Sequence, residues 1–249
     1  MLGIWIPTWN RAHFFNRLIT TLEPQHQRVS VGVGANPPCD GYQFPTWCKV
    51  THNPTNIGGE ANILQGVRKM QTAYLWILGD DEQVQPGGID EIYRCMKYRP
   101  GMIICTDGIF NHGPTGLYPT WSAWMDACVA AGREVMLTAQ TLISSTVFRR
   151  TGFNQQIAQD RIATRYGQHF GLLAGLVNEP VIVTQRPVFI SGRADDSSVW
   201  KQPREYQDQH SHITSQALTD IINYANTLTG KQYPPTCYQP GVGFDGRNS

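Results

Sequence analysis

The chain has 249 residues, 41% hydrophobic and 16% charged, and its 20 Lys+Arg against 19 Asp+Glu leave a net charge of +1. Apolar content of this order supports a buried core. A charge-driven disordered chain and a basic nucleic-acid tail are therefore excluded, and any polyanion contact must come from a local patch.

The length fits one large α/β domain. No stretch reaches the roughly 20 apolar residues of a membrane span. The opening run Met1–Ile6 is too short for a signal-peptide core and is stopped by Pro7, which predicts a cytoplasmic protein. Cys39, Cys48, Cys95, Cys105, Cys128 and Cys237 show no C-x-x-C pair and no histidine at zinc spacing, as expected of free thiols in a reducing compartment.

Apolar β-rich runs alternate with helical patterns through the first half. Ile4-Trp5-Ile6 reads as a strand, and Asn10 is placed to cap a helix in which Phe14, Leu18 and Leu22 recur at four-residue spacing. Val29–Val33 is a second strand. A Pro/Gly-rich loop (Asn36–Pro45), a short strand near Val50 and a helix with Ala61, Leu64 and Val67 on one face follow. Tyr74-Leu75-Trp76-Ile77-Leu78 is nearly all apolar, as a central strand covered on both faces should be. A helix from Ile89 to Tyr98 and a strand at Met102–Cys105 complete an alternation that predicts a mostly parallel sheet with crossover helices.

The second half is less regular. Trp121–Ala131 and Arg161–Val177 read as helices, the latter with Phe170, Leu173 and Leu176 inward, and Val181–Val183 reads as a strand. Polar composition from Ser191 to Ser211 predicts a surface loop or lid. Ile213, Ala217, Leu218, Ile221, Ile222, Ala225 and Leu228 mark an amphipathic C-terminal helix, with a Pro/Gly tail from Tyr233.

Chemistry concentrates where these elements end. Asp80-Asp81-Glu82 follows an apolar strand at Gly79, the end at which open α/β sheets bind ligands. Crowded carboxylates repel one another unless a cation sits among them, and hard divalent ions prefer oxygen ligands; a solvated acidic turn before a helix would look the same. Asn53-Pro54-Thr55-Asn56-Ile57-Gly58-Gly59-Glu60-Ala61-Asn62 puts amides and a glycine pair at a helix mouth, where free N–H groups can take a diphosphate. Pro7-Thr8-Trp9-Asn10-Arg11 ends the first strand and can face the same crevice.

Ile-Pro-Thr-Trp-Asn-Arg at 6–11, Asn-x-x-Gly at 56–59 and Tyr-Leu-Trp-Ile-Leu-Gly-Asp-Asp-Glu at 74–82 resemble, in order and spacing, the opening segments of family 2 glycosyltransferases with the GT-A fold. Leu142–Phe153 is similar to the acceptor-side segment of that family, and Gln168-His169-Phe170 falls where the family carries Glu-Asp and an apolar residue. The resemblance covers roughly residues 3–190. It implies a GT-A domain over residues 1–190, with a nucleotide-sugar half (1–110) and an acceptor half (111–190), and a lid loop, helix and tail over 191–249.

The resemblance also implies roles. Pro7, Thr8, Asn10, Arg11, Asn36, Asn56, Gly58, Gly59, Asn62 and Asp80 would bind the donor. Asp81 would hold a Mn²⁺ or Mg²⁺ ion near Glu82, with a histidine such as His212 from the polar loop, and the ion would bridge the donor phosphates. Ser144, Ser145, Arg149 and Arg150 would lie on the acceptor side, where the arginines join Arg161 and Arg165 in a local basic patch. The sequence departs from the pattern in three places. Gly34–Asp40 replaces the acidic cluster that reads the nucleobase, leaving Asn36 or Asp40 as stand-ins. Gly79 takes the first Asp of Asp-x-Asp. His169 stands at the general base, where a neutral imidazole can accept a proton or pack under the site.

The expected function is an inverting, metal-dependent transfer of a sugar, UDP-linked, to a hydroxyl. The acceptor is a saccharide or a hydroxymethylated DNA base of phage type, the latter acting in host cytoplasm. A non-catalytic nucleotide-binding or sugar-binding module on the same fold is the alternative, and a nucleotidyltransferase ranks last because no glycine-rich Lys/Arg loop follows the first strand. Trp200 with Tyr206, and Asp195-Asp196 with His210, are further polar-loop candidates.

Overall fold

A computed structural model describes residues 1–107, 113–131, 143–192 and 204–233, the last with side chains from residue 216. One eight-stranded sheet runs in the order β3-β2-β1-β4-β8-β6-β9-β7. Its strands are β1 (Leu2–Trp9), β2 (Val29–Asn36), β3 (Cys48–His52), β4 (Tyr74–Ile77), β6 (Met102–Thr106), β7 (Gly116–Tyr118), β8 (Thr146–Arg149) and β9 (Val181–Pro187). β1, β2, β3 and β4 are parallel, β6 pairs in parallel with β9, and β8 and β7 run against their neighbours. A small antiparallel pair, β5 (Gln83–Val84) with β10 (Phe189–Ile190), stands beside it.

Alternation along the strands divides the core into two layers. Leu2, Ile4 and Ile6 of β1 and Trp76 of β4 meet Phe15 and Leu18 of α1 (Ala12–Leu22) and Ile92 of α3 (Gly88–Met96). On the other face Trp5, Leu75 and Ile77 meet α2 (Gly59–Lys69), α4 (Trp121–Ala130), α6 (Gly167–Leu176) and α7 (Arg204–Thr229). Trp5 is 1% exposed, and the space for its ring is made by glycines: a Cβ on Gly66, Gly32 or Gly34 would lie 2.3, 2.7 or 2.7 Å from it. Removing a buried ring of this size costs about 3–5 kcal/mol, so this slot anchors α2 on the sheet.

Three expectations are corrected. Asn10 does not cap α1: it is exposed with φ +51°, and the helix starts after Arg11 without a side-chain cap. The helix expected over 161–177 is broken into α5 (Gln155–Asp160), a 3-10 turn at Ile162–Thr164 and α6, because Arg165 turns left-handed at φ +62°. The polar stretch expected as a loop to Ser211 is helical from Arg204, and α7 packs through Ala217, Leu218, Ile221, Ile222 and Ala225. No helix among the described residues is long and apolar enough to cross a membrane.

Candidate active site

The chain runs from β1 outward to β2 and β3, then returns to the other side of β1 as β4. Such a reversal leaves a crevice outside the C-terminal ends of the two central strands. Residues with chemistry gather there. Trp5 pairs with Ile77, so counting on along the strands brings Thr8 level with Asp80. Thr8 Oγ1 donates to Asp80 Oδ2 at 2.6 Å, and both residues are buried, at 3% and 2% exposed. Arg11 closes the group: its Nε lies 3.4 Å from Asp80 Oδ1, and a terminal nitrogen donates to Asp81 Oδ2 at 3.1 Å.

The loop after β2 supports this cluster in a way the sequence did not announce. The Tyr42 hydroxyl accepts the Arg11 backbone N–H at 2.8 Å and lies 3.0 Å from Thr8 Oγ1. Tyr42 stacks on Phe44, which meets Phe15 edge-on, so core packing carries through to the crevice wall. Trp9, half-exposed, stands at the rim. Pro7 is partly exposed beside it, and Asn10 faces solvent.

Burial and charge act against each other on the acidic turn. Burial pushes Asp80 up to about 6; the Arg11 charge and the Thr8 and Trp9 donors pull it down, and the neighbouring Asp81 charge pushes it up. Glu82 is pushed up to about 8 by burial and the Asp81 charge, although the Gly192 N–H and the Ser144 hydroxyl oppose the shift. Glu82 has a partner of its own: its Oε2 accepts the Gly192 N–H at 2.8 Å. Gly192 has to be glycine, since a Cβ there would sit 2.2 Å from the Asp81 carbonyl oxygen.

The amide-rich segment forms a second wall. Asn36, 2% exposed, donates to Asn56 Oδ1 at 3.0 Å and accepts from Asn53 Nδ2 at 2.9 Å. Its amide is thereby committed to holding the Asn56 loop, and Asp40 is exposed. Asn62 donates to the Gly34 carbonyl at 2.7 Å and accepts Trp5 Nε1 at 3.2 Å, which fixes the start of α2 above the end of β2. Gly58 and Gly59 precede it with nothing within 4 Å of their Cβ positions, leaving the helix mouth open.

The acceptor-side residues are split by strand direction. Ser144 Oγ accepts the Gly79 N–H at 3.0 Å and its carbonyl accepts Trp76 Nε1 at 2.7 Å. Ser144 thus braces the acidic turn from behind, and both Ser144 and Ser145 are 0% exposed. β8 then runs antiparallel to β4, pairing Arg149 with Tyr74. That carries Arg149 and Arg150 about 20 Å from the level of Asp80, to the opposite edge of the sheet. There Arg149 bonds Glu179 at 2.7 Å and Arg150 donates to the Thr72 carbonyl at 3.2 Å. Arg161 lies over the Phe170 ring, 5.3 Å from its centroid.

His169 is buried on α6 and lines a pocket with Ile63, Ile77, Thr146, Phe148 and Gln168. The His212, Tyr206 and His210 side chains, and Asp195, Asp196 and Trp200, lie outside the described residues. Among the described residues no group of three or more His, Cys, Asp or Glu side chains forms a metal cage. Asp80 and Asp81 nevertheless converge on one cationic group, the Arg11 guanidinium, so their oxygens fit a shared cation if phosphate and water complete its shell.

No protein-family model matches the chain, and no curated protein matches it in sequence. Solved structures do. S. aureus TarS 1-349 superposes with a TM-score of 0.62 at 12% identity, covering 90% of this chain and 64% of that one. The fold is that of GT-A glycosyltransferases. TarS 1-349 in complex with UDP-GlcNAc gives 0.60 at 10% identity, over 90% and 66% of the two chains. The mannosyltransferase PcManGT from Pyrobaculum calidifontis, in complex with GDP-Man and Mn²⁺, gives 0.56 at 14% identity, over 94% and 66%. At these identities the likeness is one of fold, and the chain spans 64% of the length of TarS 1-349.

Proposed function

We propose that this chain is a nucleotide-sugar-dependent glycosyltransferase that moves a sugar from a UDP-linked donor to a saccharide hydroxyl with inversion. The observation that carries the reading is the Thr8–Asp80–Arg11–Asp81 cluster at the switch point of the sheet. A diphosphate laid across the ends of β1 and β4 would meet the first N–H groups of α2 and the Arg11 guanidinium. Trp9 offers a flat apolar face at the rim on which a base can lie. Asp80, held by Thr8, orients Arg11. Asp81, more open than Asp80, is the carboxylate to share a Mn²⁺ or Mg²⁺ ion with the diphosphate, and a bound ion there would offset the charge that develops on the leaving group.

The acceptor oxygen attacks the anomeric carbon from the face opposite the diphosphate, which inverts its configuration. A saccharide suits this crevice better than DNA, because Arg149 and Arg150 lie at the far edge of the sheet and bring no positive patch to its rim. Calorimetry and diphosphate-release assays with UDP-GlcNAc, UDP-glucose and GDP-mannose in Mn²⁺ test the reading, with Asp81→Ala as control. Binding and release that fall at least tenfold in the variant are expected. Failure to bind any donor would refute it, and binding without release would mark a non-catalytic module.

A further inference from the structure

The buried position of His169 leaves open which group takes the acceptor's proton. Glu60 is the second residue of α2, directly after the open Gly58–Gly59 mouth and in the same turn as Asn62, which ties this helix end to β2 at the crevice. It is half-buried, and its carboxylate accepts the backbone N–H of Gly167, the first residue of α6. Two helix N-termini therefore meet at one carboxylate, on a helix end that Asn62 holds level with Gly34 and Pro7, near the C-terminal end of β1. Gln168 and His169, next along α6, are 7% and 8% exposed and turn into the apolar pocket with Ile63 and Ile77.

On the glycosyltransferase reading, the acceptor O–H must be broken as its oxygen bonds to the anomeric carbon. We propose that Glu60 is the general base of the transfer. The acceptor oxygen forms the new bond to the anomeric carbon, and the bond from that carbon to the diphosphate oxygen breaks with its electron pair on the leaving group. The hydroxyl proton passes to the Glu60 carboxylate.

The surroundings suit that task. Burial pushes Glu60 up to about 8, and the Gly167 N–H opposes the shift only in part. A carboxylate so raised accepts a proton near neutrality more readily than an ordinary one. The titratable groups on the elements packed against α2 are His169 on α6, Asp160 on α5 and Tyr74 on β4, and none of them contributes to the shift.

A purely structural role, capping α6, makes a different prediction. Glu60→Gln keeps an oxygen for the Gly167 N–H but cannot take a proton. The assay follows diphosphate release from UDP-GlcNAc and GDP-mannose with water as acceptor, alongside calorimetry with UDP. In Glu60→Gln the thermal midpoint and the UDP affinity should stay at wild-type values while kcat falls about 10²–10⁴-fold. In the wild type kcat/KM should rise with pH and level off above about 8, and the variant should lose that limb. Glu60→Asp, which keeps a base but shortens its reach, should fall between the two. A Glu60→Gln enzyme within a few-fold of wild type, with the pH limb intact, overturns the proposal and leaves the glycosyltransferase reading standing. A wild type that binds and turns over no donor removes both.

Discussion

The join between Asn62 and Gly34 sets the height of α2 above the crevice, and its strength can be measured. Asn62 is 1% exposed, and its amide is the donor to the Gly34 carbonyl at 2.7 Å. Asn62→Ala removes that buried bond, while Trp5 Nε1 keeps the backbone carbonyl of residue 62 at 2.9 Å. Losing one buried hydrogen bond costs about 0.5–1.5 kcal/mol. Gly34→Ala fails for another reason: its Cβ would lie 1.9 Å from Asn62 Oδ1 and 2.7 Å from the Trp5 ring, an overpacking worth about 1–3 kcal/mol. In the double variant the closer clash has gone with the amide and only the Trp5 contact is left. The two losses should therefore not add, and the double variant should be about 1 kcal/mol more stable than their sum. For a chain of this size each kcal/mol moves the melting midpoint by about 2–4 °C, so the four proteins are separable by thermal and urea unfolding. Losses that add to within about 0.3–0.5 kcal/mol would refute the shared contact.

Thr8→Val removes the donor that steadies ionised Asp80. Asp80 sits at about 6 in the folded protein against an ordinary 3.8, so its contribution to stability is full below about 4 and is lost as pH rises through 6. The variant should then cost about 1.5–3 kcal/mol near pH 8 and much less near pH 5, and urea melts showing an equal cost at both would contradict this. Arg11→Ala takes the resident cation from Asp80 and Asp81. Mn²⁺ alone, followed by electron paramagnetic resonance, should bind severalfold more tightly to the variant, whereas UDP without metal should bind more weakly. Weaker Mn²⁺ binding by the variant would show that Arg11 and the ion do not compete.

The part of the fold that reads from sequence is the part built from local patterns. The apolar run at 74–78 marks a strand covered on both faces, and β4 is that strand. β8 escapes detection because its few residues, Thr146–Arg149, carry no period, and its partners Tyr74–Trp76 and Met102–Ile104 are far away in sequence. The same strand explains the arginines. Ser144 and Arg149 are close in sequence, yet an antiparallel strand between them converts that closeness into a walk across the sheet, from the acidic turn to the Tyr74 end. Arg165 breaks the expected long helix through a left-handed backbone that no apolar periodicity reveals.

The site divides along the same line. Thr8, Arg11, Asp80 and Asp81 are legible because each closes a strand at the end where α/β sheets bind ligands. Tyr42 and Gly192 are not, because each reaches the site from a loop whose position only the folded chain fixes. Asp80 and Glu82 are raised by burial before any ligand arrives, and Arg11, 37% exposed, offsets only part of the charge. A diphosphate brings further negative charge to this crevice. It can bind well only if Arg11 turns from Asp81 towards it, or if a cation enters with it. In either case diphosphate and cation must strengthen each other's binding by one and the same factor, and that reciprocity follows from carboxylates sharing a single counter-charge.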